Sequence, residues 1–146
     1  MSDNFRRSAG AWSIVAGFVA LAALAASAPP LSAQVPQGFA GNKVTPLVRS
    51  DLTGVANRQV IANIYEVPAG AMVPRHFHHG DEFHLVLSGA WAAEVEGRPP
   101  HIMYANDSQY VEAGRWHGGK VVSAAPLRLL GVMIVAKDKP VIEIPR

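Results

Sequence analysis

"GAMVPRHFHHGDEFHLVLSG", residues 70–89, places four of the chain's six histidines between two glycines. His76 and His78 stand two apart, so on an extended strand both imidazoles leave the same face. "HGD" then reads as a glycine-containing turn, and "EFHLVLS" resumes as a strand on which Glu82, His84 and Val86 share a face. The expected hairpin brings Glu82 beside the histidine pair. Further along, "QYVEAGRWHGGKVV" reads as a strand, a tight turn at Ala113, Gly114 and Arg115, and a returning strand with His117 near its start. That histidine could complete a set of four.

Outward from these stretches, short β-prone runs recur: "VTPLV", "RQVIANIYEV", "AWAAEVEG", "LRLLGVMIVA" and "VIEI", divided by glycine, proline and polar residues. No segment after residue 42 keeps a helical period, which predicts an all-β sandwich or barrel. Residues 34–42, "QVPQGFAGN", read as a linker, and residues 43–146 as one folded domain. His84 shares the face of Glu82 and is the candidate for a proton-transfer or supporting role, the alternative being a hydrogen-bonded core histidine. Trp116, Tyr104, Tyr110 and Met133 are candidates for an apolar pocket wall, with Trp116 the one expected to touch a substrate. His79 is expected in solvent, His101 in a loop, Arg75 on the outer face, and Glu94 and Glu96 on a solvated strand face.

The composition excludes several functions. Charged residues make up 16% and the formal charge is +2, with no basic run of the kind that follows a phosphate backbone, so nucleic acid is not an expected partner. There is no cysteine, so any metal must be held by nitrogen and oxygen. Between Arg7 and Lys43 no charged residue occurs, and the apolar run "AWSIVAGFVALAALAA" is followed by small residues. That is the layout of a secretory signal over residues 1–33 with cleavage after Ala33, which implies an exported, periplasmic protein. The alternative is an uncleaved anchor, since the uncharged run exceeds the roughly 20 residues needed to span a bilayer, and it would be the only membrane contact. Arg6 and Arg7 also admit the twin-arginine route in place of the general secretory one.

With those residues in hand, the chain resembles the cupin superfamily. The family's first motif runs Gly, five residues, His-x-His, three residues, Glu, six residues, Gly, and Gly70, His76, His78, Glu82 and Gly89 match every spacing. In the second motif Gly114 and His117 stand in place, while Asn106 replaces a glycine, Glu112 a proline and Val121 an asparagine. Asparagine tolerates the left-handed conformation better than other non-glycine residues, so Asn106 is a mild change. The resemblance implies an antiparallel double-sheet β-barrel of the jelly-roll kind, His76, His78, Glu82 and His117 as metal ligands, and a homodimer. Three imidazoles and one carboxylate suit Fe, Mn, Ni, Cu or Zn rather than calcium or magnesium.

Two functions compete. One is a metal-dependent enzyme, of oxygenase or isomerase type, acting on a small organic molecule through open coordination positions. The other is a periplasmic module that binds a small molecule or metal without turnover. The cupin fold hosts both, so the resemblance does not choose.

Overall fold

Glycine and proline cut the apolar sequence into short extended pieces, and in the computed structural model, which describes residue 39 and residues 41–145, these pieces form nine strands. They are β1 (Lys43–Asp51), β2 (Arg58–Val67), β3 (Met72–His76), β4 (Gly80–Ser88), β5 (Ala90–Val95), β6 (His101–Tyr104), β7 (Ser108–Val111), β8 (His117–Val121) and β9 (Leu127–Ala136). Five make one antiparallel sheet in the order β1-β2-β9-β4-β7, and four make a second in the order β3-β8-β5-β6. The all-β, double-sheet expectation holds. Among the described residues no ladder closes the two sheets into a continuous barrel, so the jelly-roll description fits better than a closed one.

Apolar side chains from both sheets meet between them. Val67, Val86, Leu127 and Leu129 from the larger sheet pack with Trp91, Met103 and Val121 from the smaller one, and Trp91 is 1% exposed. Burying each such side chain contributes about 1.5–3 kcal/mol before entropy is counted. A second cluster, Ile61, Met133 and Val135, lies on the inner face of β2 and β9.

The expected hairpins do not form. β3 pairs with β8 and belongs to the smaller sheet, whereas β4 pairs with β7 and β9 in the larger one. The turn at His79 and Gly80 therefore carries the chain from one sheet to the other, and residues 113–115 do the same between β7 and β8. The two crossings are tied together: Gly114 N–H donates to the His78 carbonyl at 2.9 Å, and Ala113 N–H to Asp81 Oδ1 at 3.1 Å. Local sequence could not distinguish a hairpin from a crossing, because both need a turn between two alternating strands.

Several smaller expectations change. His101 opens β6 as an exposed strand residue instead of lying in a loop. "VIEI" makes only one isolated bridge, Phe77 to Glu143, because Pro140 and Pro145 bracket it and supply no N–H to extend a ladder. Pro46 is tolerated within β1 because that strand is at the sheet edge, with a register shift between Pro46 and Val48. Asn106 adopts φ 75°, the left-handed conformation expected of the asparagine that replaces a glycine. The proposed signal segment lies outside the described residues.

Gly80 sits where the crossing chain joins β9. A Cβ there would lie 2.0 Å from the Ile134 carbonyl oxygen and 2.6 Å from Val135 Cα, both backbone atoms that cannot move aside. Gly80→Ala is expected to destabilise the protein by about 1–3 kcal/mol or more, the cost of overpacking a tight interior. Urea denaturation of the purified protein checks this; an unchanged midpoint would contradict the packing.

Candidate metal centre

His76 and His117 are direct register partners across the β3–β8 ladder, so their side chains leave neighbouring backbones toward the same interior point. Their rings are 4.2 Å apart between centroids. His78 follows two residues after His76, just before the crossing turn, with its ring 4.9 Å from His76 and 5.2 Å from His117. Glu82 comes from the opposite sheet, on the inward face of β4. One candidate ligand atom from each of these four residues lies within 4.8 Å of all the others, and all four residues are buried. The structure thus brings together His76, His78, Glu82 and His117 in an arrangement that could hold a metal ion.

The protonation pattern tests the fit. His76 Nδ1 lies 2.7 Å from the Pro74 carbonyl, His117 Nδ1 lies 2.9 Å from the Arg115 carbonyl, and His78 Nδ1 is hydrogen-bonded to the Val141 carbonyl. A carbonyl only accepts, so each Nδ1 carries the proton and each Nε2 presents a lone pair inward. Glu82 Oε2 lies 3.2 Å from His78 Nε2 and 2.9 Å from His117 Nε2, yet none of these three buried atoms has a hydrogen-bond partner. Lone pairs facing lone pairs in a buried site require a proton or a cation between them. A metal ion would satisfy all three at once, and the backbone carbonyls supply outer contacts of the kind that orient imidazoles toward a metal.

The same cluster perturbs its own titration. Burial, followed by repulsion from His117 and His78, pushes His76 down to about 3. Burial also disfavours charged His78, but the adjacent Glu82 carboxylate outweighs this and raises it above the ordinary imidazole value. Burial would raise Glu82, but the neighbouring His84 and His78, and the ring nitrogens of His117 and His78 close to its carboxylate, hold it well below the usual carboxylate range.

His84 stands on the far side of Glu82, with Nε2 3.1 Å from Glu82 Oε1 and Nδ1 3.0 Å from Gln109 Nε2. Gln109 donates to Nδ1, so the ring hydrogen is on Nε2, the nitrogen beside the carboxylate. The cluster opens into a mainly apolar cavity of about 90 Å³, whose lining includes His84, Trp91, Tyr65, Asn63 and Met133. Met133 is thus a wall residue, but Trp116 is not among the residues lining this cavity. It packs edge-on against Phe77 at 4.8 Å with the Arg75 guanidinium 5.3 Å from its ring, beside a separate surface groove. Tyr104 and Tyr110 are exposed, at 59% and 40%. His79 is half-buried, its Nε2 3.2 Å from Glu143 Oε1, and is not the solvent-facing residue expected. Arg75 is exposed and paired with Glu96 at 2.8 Å, and Glu94 is exposed, as expected.

Four contributors escaped the sequence reading. Phe39, within the stretch read as a linker, stacks edge-on against His76 at 5.2 Å, and the carbonyl of Val141 orients His78 from the C-terminal segment. Neither carries a local signal, since each acts through proximity only the fold creates. Asn63 and Tyr65 face inward on β2, where the apolar residues of "RQVIANIYEV" fill both faces and obscure which parity points inside.

The pH dependence follows with its sign. His76 has a depressed folded pKa, so below its unfolded value of about 6.5 the unfolded chain binds more protons than the folded one. Stability of metal-free protein should fall as pH drops from about 6.5 toward 4.5, with this residue contributing a slope of up to about 1.4 kcal/mol per pH unit. The gain from His78, whose folded pKa is raised, is already complete below its unfolded value and adds no slope there. Urea denaturation of chelator-treated wild type and His76→Ala should give a shallower slope in the variant. Equal slopes would remove His76 from the buried cluster.

A family model described as the cupin domain matches residues 63–134. A search among curated proteins gave no match. Among solved structures, the DMSP lyase DddQ from Ruegeria pomeroyi DSS-3 superposes with a TM-score of 0.57 at 20% identity, covering 70% of this chain and 51% of that one. The Cnp3 cupin domain from Schizosaccharomyces pombe gives 0.56 at 20% identity, covering 64% of this chain and 61% of that one. KdgF from Halomonas sp. gives 0.55 at 18% identity, covering 67% and 83%. This chain therefore spans about half the length of the lyase, and at these identities the likeness is one of fold. With two facing antiparallel sheets, three inward histidines and a glutamate at the family's spacing, and the matching family model, the chain belongs to the cupin superfamily, its cupin domain covering residues 63–134.

Proposed function

We propose that this cupin is a metal-dependent enzyme of the cell envelope that acts on a small organic molecule. The observation that carries this reading is the buried set of four ligand atoms within 4.8 Å of one another, opening onto an apolar cavity. A bound Fe, Mn, Ni, Cu or Zn ion would supply Lewis acidity or redox chemistry at positions left open by four protein ligands. The chain's part is to hold that site dry and oriented. Three carbonyls fix the imidazoles, and His84 Nε2 stands 3.1 Å from one oxygen of Glu82 while the other faces the histidines. His84 would then act on protons through Glu82, as a positioning residue. Similarity in fold to a lyase is compatible with catalysis, but the fold alone assigns no reaction.

The second reading is a non-catalytic module that binds a small molecule or metal. One observation favours it: both ring nitrogens of His84 are engaged, so no free histidine base stands beside the cavity. The outer face of the five-stranded sheet adds a proposed homodimer. Val60, Ile64, Leu130 and Val132 point outward there, half-exposed, alongside exposed Phe83, an apolar face that a second copy would cover.

Elemental analysis of protein recovered from the native compartment, with its intact mass, tests the first reading. About one equivalent of a transition metal is expected, lost in both His76→Ala and His117→Ala, with a mass beginning at Gln34. His84→Ala should retain metal and lose turnover at least about 100-fold; turnover absent from every form, wild type included, selects the binding module. No metal in the wild type would overturn the enzyme reading. Sedimentation of wild type and Phe83→Glu should show a dimer in the first and a monomer in the second; a monomeric wild type refutes the dimer.

A further inference from the structure

β2 contributes a polar pair to a mainly apolar wall, apart from the histidine–glutamate cluster. Ile61, Asn63, Tyr65 and Val67 all line the cavity, and Asn63 is only 5% exposed. Asn63 Nδ2 donates to the Tyr65 hydroxyl oxygen at 2.9 Å, while Asn63 Oδ1 is buried without any partner. An orphaned buried acceptor of this kind has given up its hydration for nothing in return. Such groups persist in native proteins when something outside the protein satisfies them.

The backbone keeps this pair in place. Asn63 of β2 and His84 of β4 are both register partners of Gly131 on β9, so the glycine stands between them. A Cβ at Gly131 would lie 2.7 Å from Tyr65 Cε2 and 3.4 Å from Glu82 Oε1. The Tyr65 ring therefore occupies the space above Gly131, between Asn63 and the metal cluster. Its hydroxyl accepts one bond from Asn63 and retains its own hydrogen for another acceptor. If the amide is turned over, the tyrosine donates to it instead, and the pair then offers an amide hydrogen and a phenolic lone pair. Either orientation leaves one donor and one acceptor.

We propose that Asn63 and Tyr65 form the polar end of a ligand subsite for an uncharged molecule with an apolar body and a hydroxyl or carboxamide group. This rests on the cavity being a ligand site. A hydroxyl or carboxamide both donates and accepts, so it meets the pair in full. A carboxylate offers only acceptors and would face Asn63 Oδ1 without a hydrogen to share. The rest of the wall includes Ile61, Val67, Leu129, Met133, Val141 and Ile142, and among the described lining residues there is no lysine or arginine. A charged ligand end would have no counter-ion away from the metal cluster.

The test titrates full-length protein with benzyl alcohol, benzamide and ethylbenzene, the last being the alcohol's shape with a methyl in place of the hydroxyl. Both zinc-loaded and chelator-treated forms are used. The alcohol and the amide should bind about tenfold more tightly than ethylbenzene in both forms, the worth of one or two hydrogen bonds. In Tyr65→Phe and Asn63→Leu the preference should fall below about threefold, with zinc content and ethylbenzene affinity at wild-type levels. Equal affinities in the wild type, a preference that survives both substitutions, or no binding of any probe would overturn the subsite. Wild type that holds no zinc but keeps the preference would refute the metal reading and leave this one standing. Wild type that holds zinc without the preference would do the reverse.

Discussion

A carboxylate from one sheet, buried against three imidazoles from the other, is the constraint around which this molecule is arranged. Glu82 is 3% exposed, and an isolated carboxylate at that depth would cost far more than the stability of a small domain. It survives because every part of it has an assigned neighbour. His84 lies 3.1 Å from one oxygen, and the other faces His78 and His117. The imidazoles in turn are committed by backbone carbonyls, which leave their lone pairs toward the carboxylate. Remove the cation or protons that such an arrangement demands and the cluster becomes a set of opposed lone pairs.

The rest of the fold supplies what that cluster needs. The aliphatic and aromatic layer that includes Trp91 packs the two sheets against each other, and the cavity borders it, with Trp91, Val67 and Leu129 belonging to both. Because β3 and β8 pair within one sheet while β4 lies in the facing one, the histidines and the glutamate approach from opposite walls. The ligand atoms therefore depend on sheet-to-sheet spacing as well as on strand register. Stitching of the two crossing turns through Gly114 and His78 fixes that spacing where it matters most. The C-terminal segment then closes on the site, orienting His78 through the Val141 carbonyl and pairing Glu143 with His79. A domain that stores a buried polar cluster in this way relies on its apolar layer for stability and reserves the cluster for binding.

What could be read in advance divides along physical lines. The spacing from His76 through His78 to Glu82, with His117 after a second turn, is enough to nominate four residues, since strand parity fixes which side chains share a face. Parity also placed His84 beside Glu82. It failed for β2, because apolar residues fill both faces of that strand and alternation carries no sign, so Asn63 and Tyr65 went unnoticed. Parity in fact favours the observed place of Trp116: directly preceding the inward His117, it sits on the outer side with Phe77 and Arg75, and the expected pocket contact ran against that rule.

Read residue by residue, the chain already carries the class of the fold, the absence of sulfur ligands, and the identity of the histidines and glutamate that the structure gathers. These follow from local rules: residue chemistry, a period of two along strands, and glycine at tight turns. It took folding in three dimensions to make the two turns cross between sheets instead of closing hairpins, to set His76 and His117 facing each other in one ladder, and to bring Phe39 and Val141 to the site from distant parts of the chain. Those outcomes depend on which strands pair and how two sheets pack, and such long-range pairings leave no mark on the spacing of neighbouring residues.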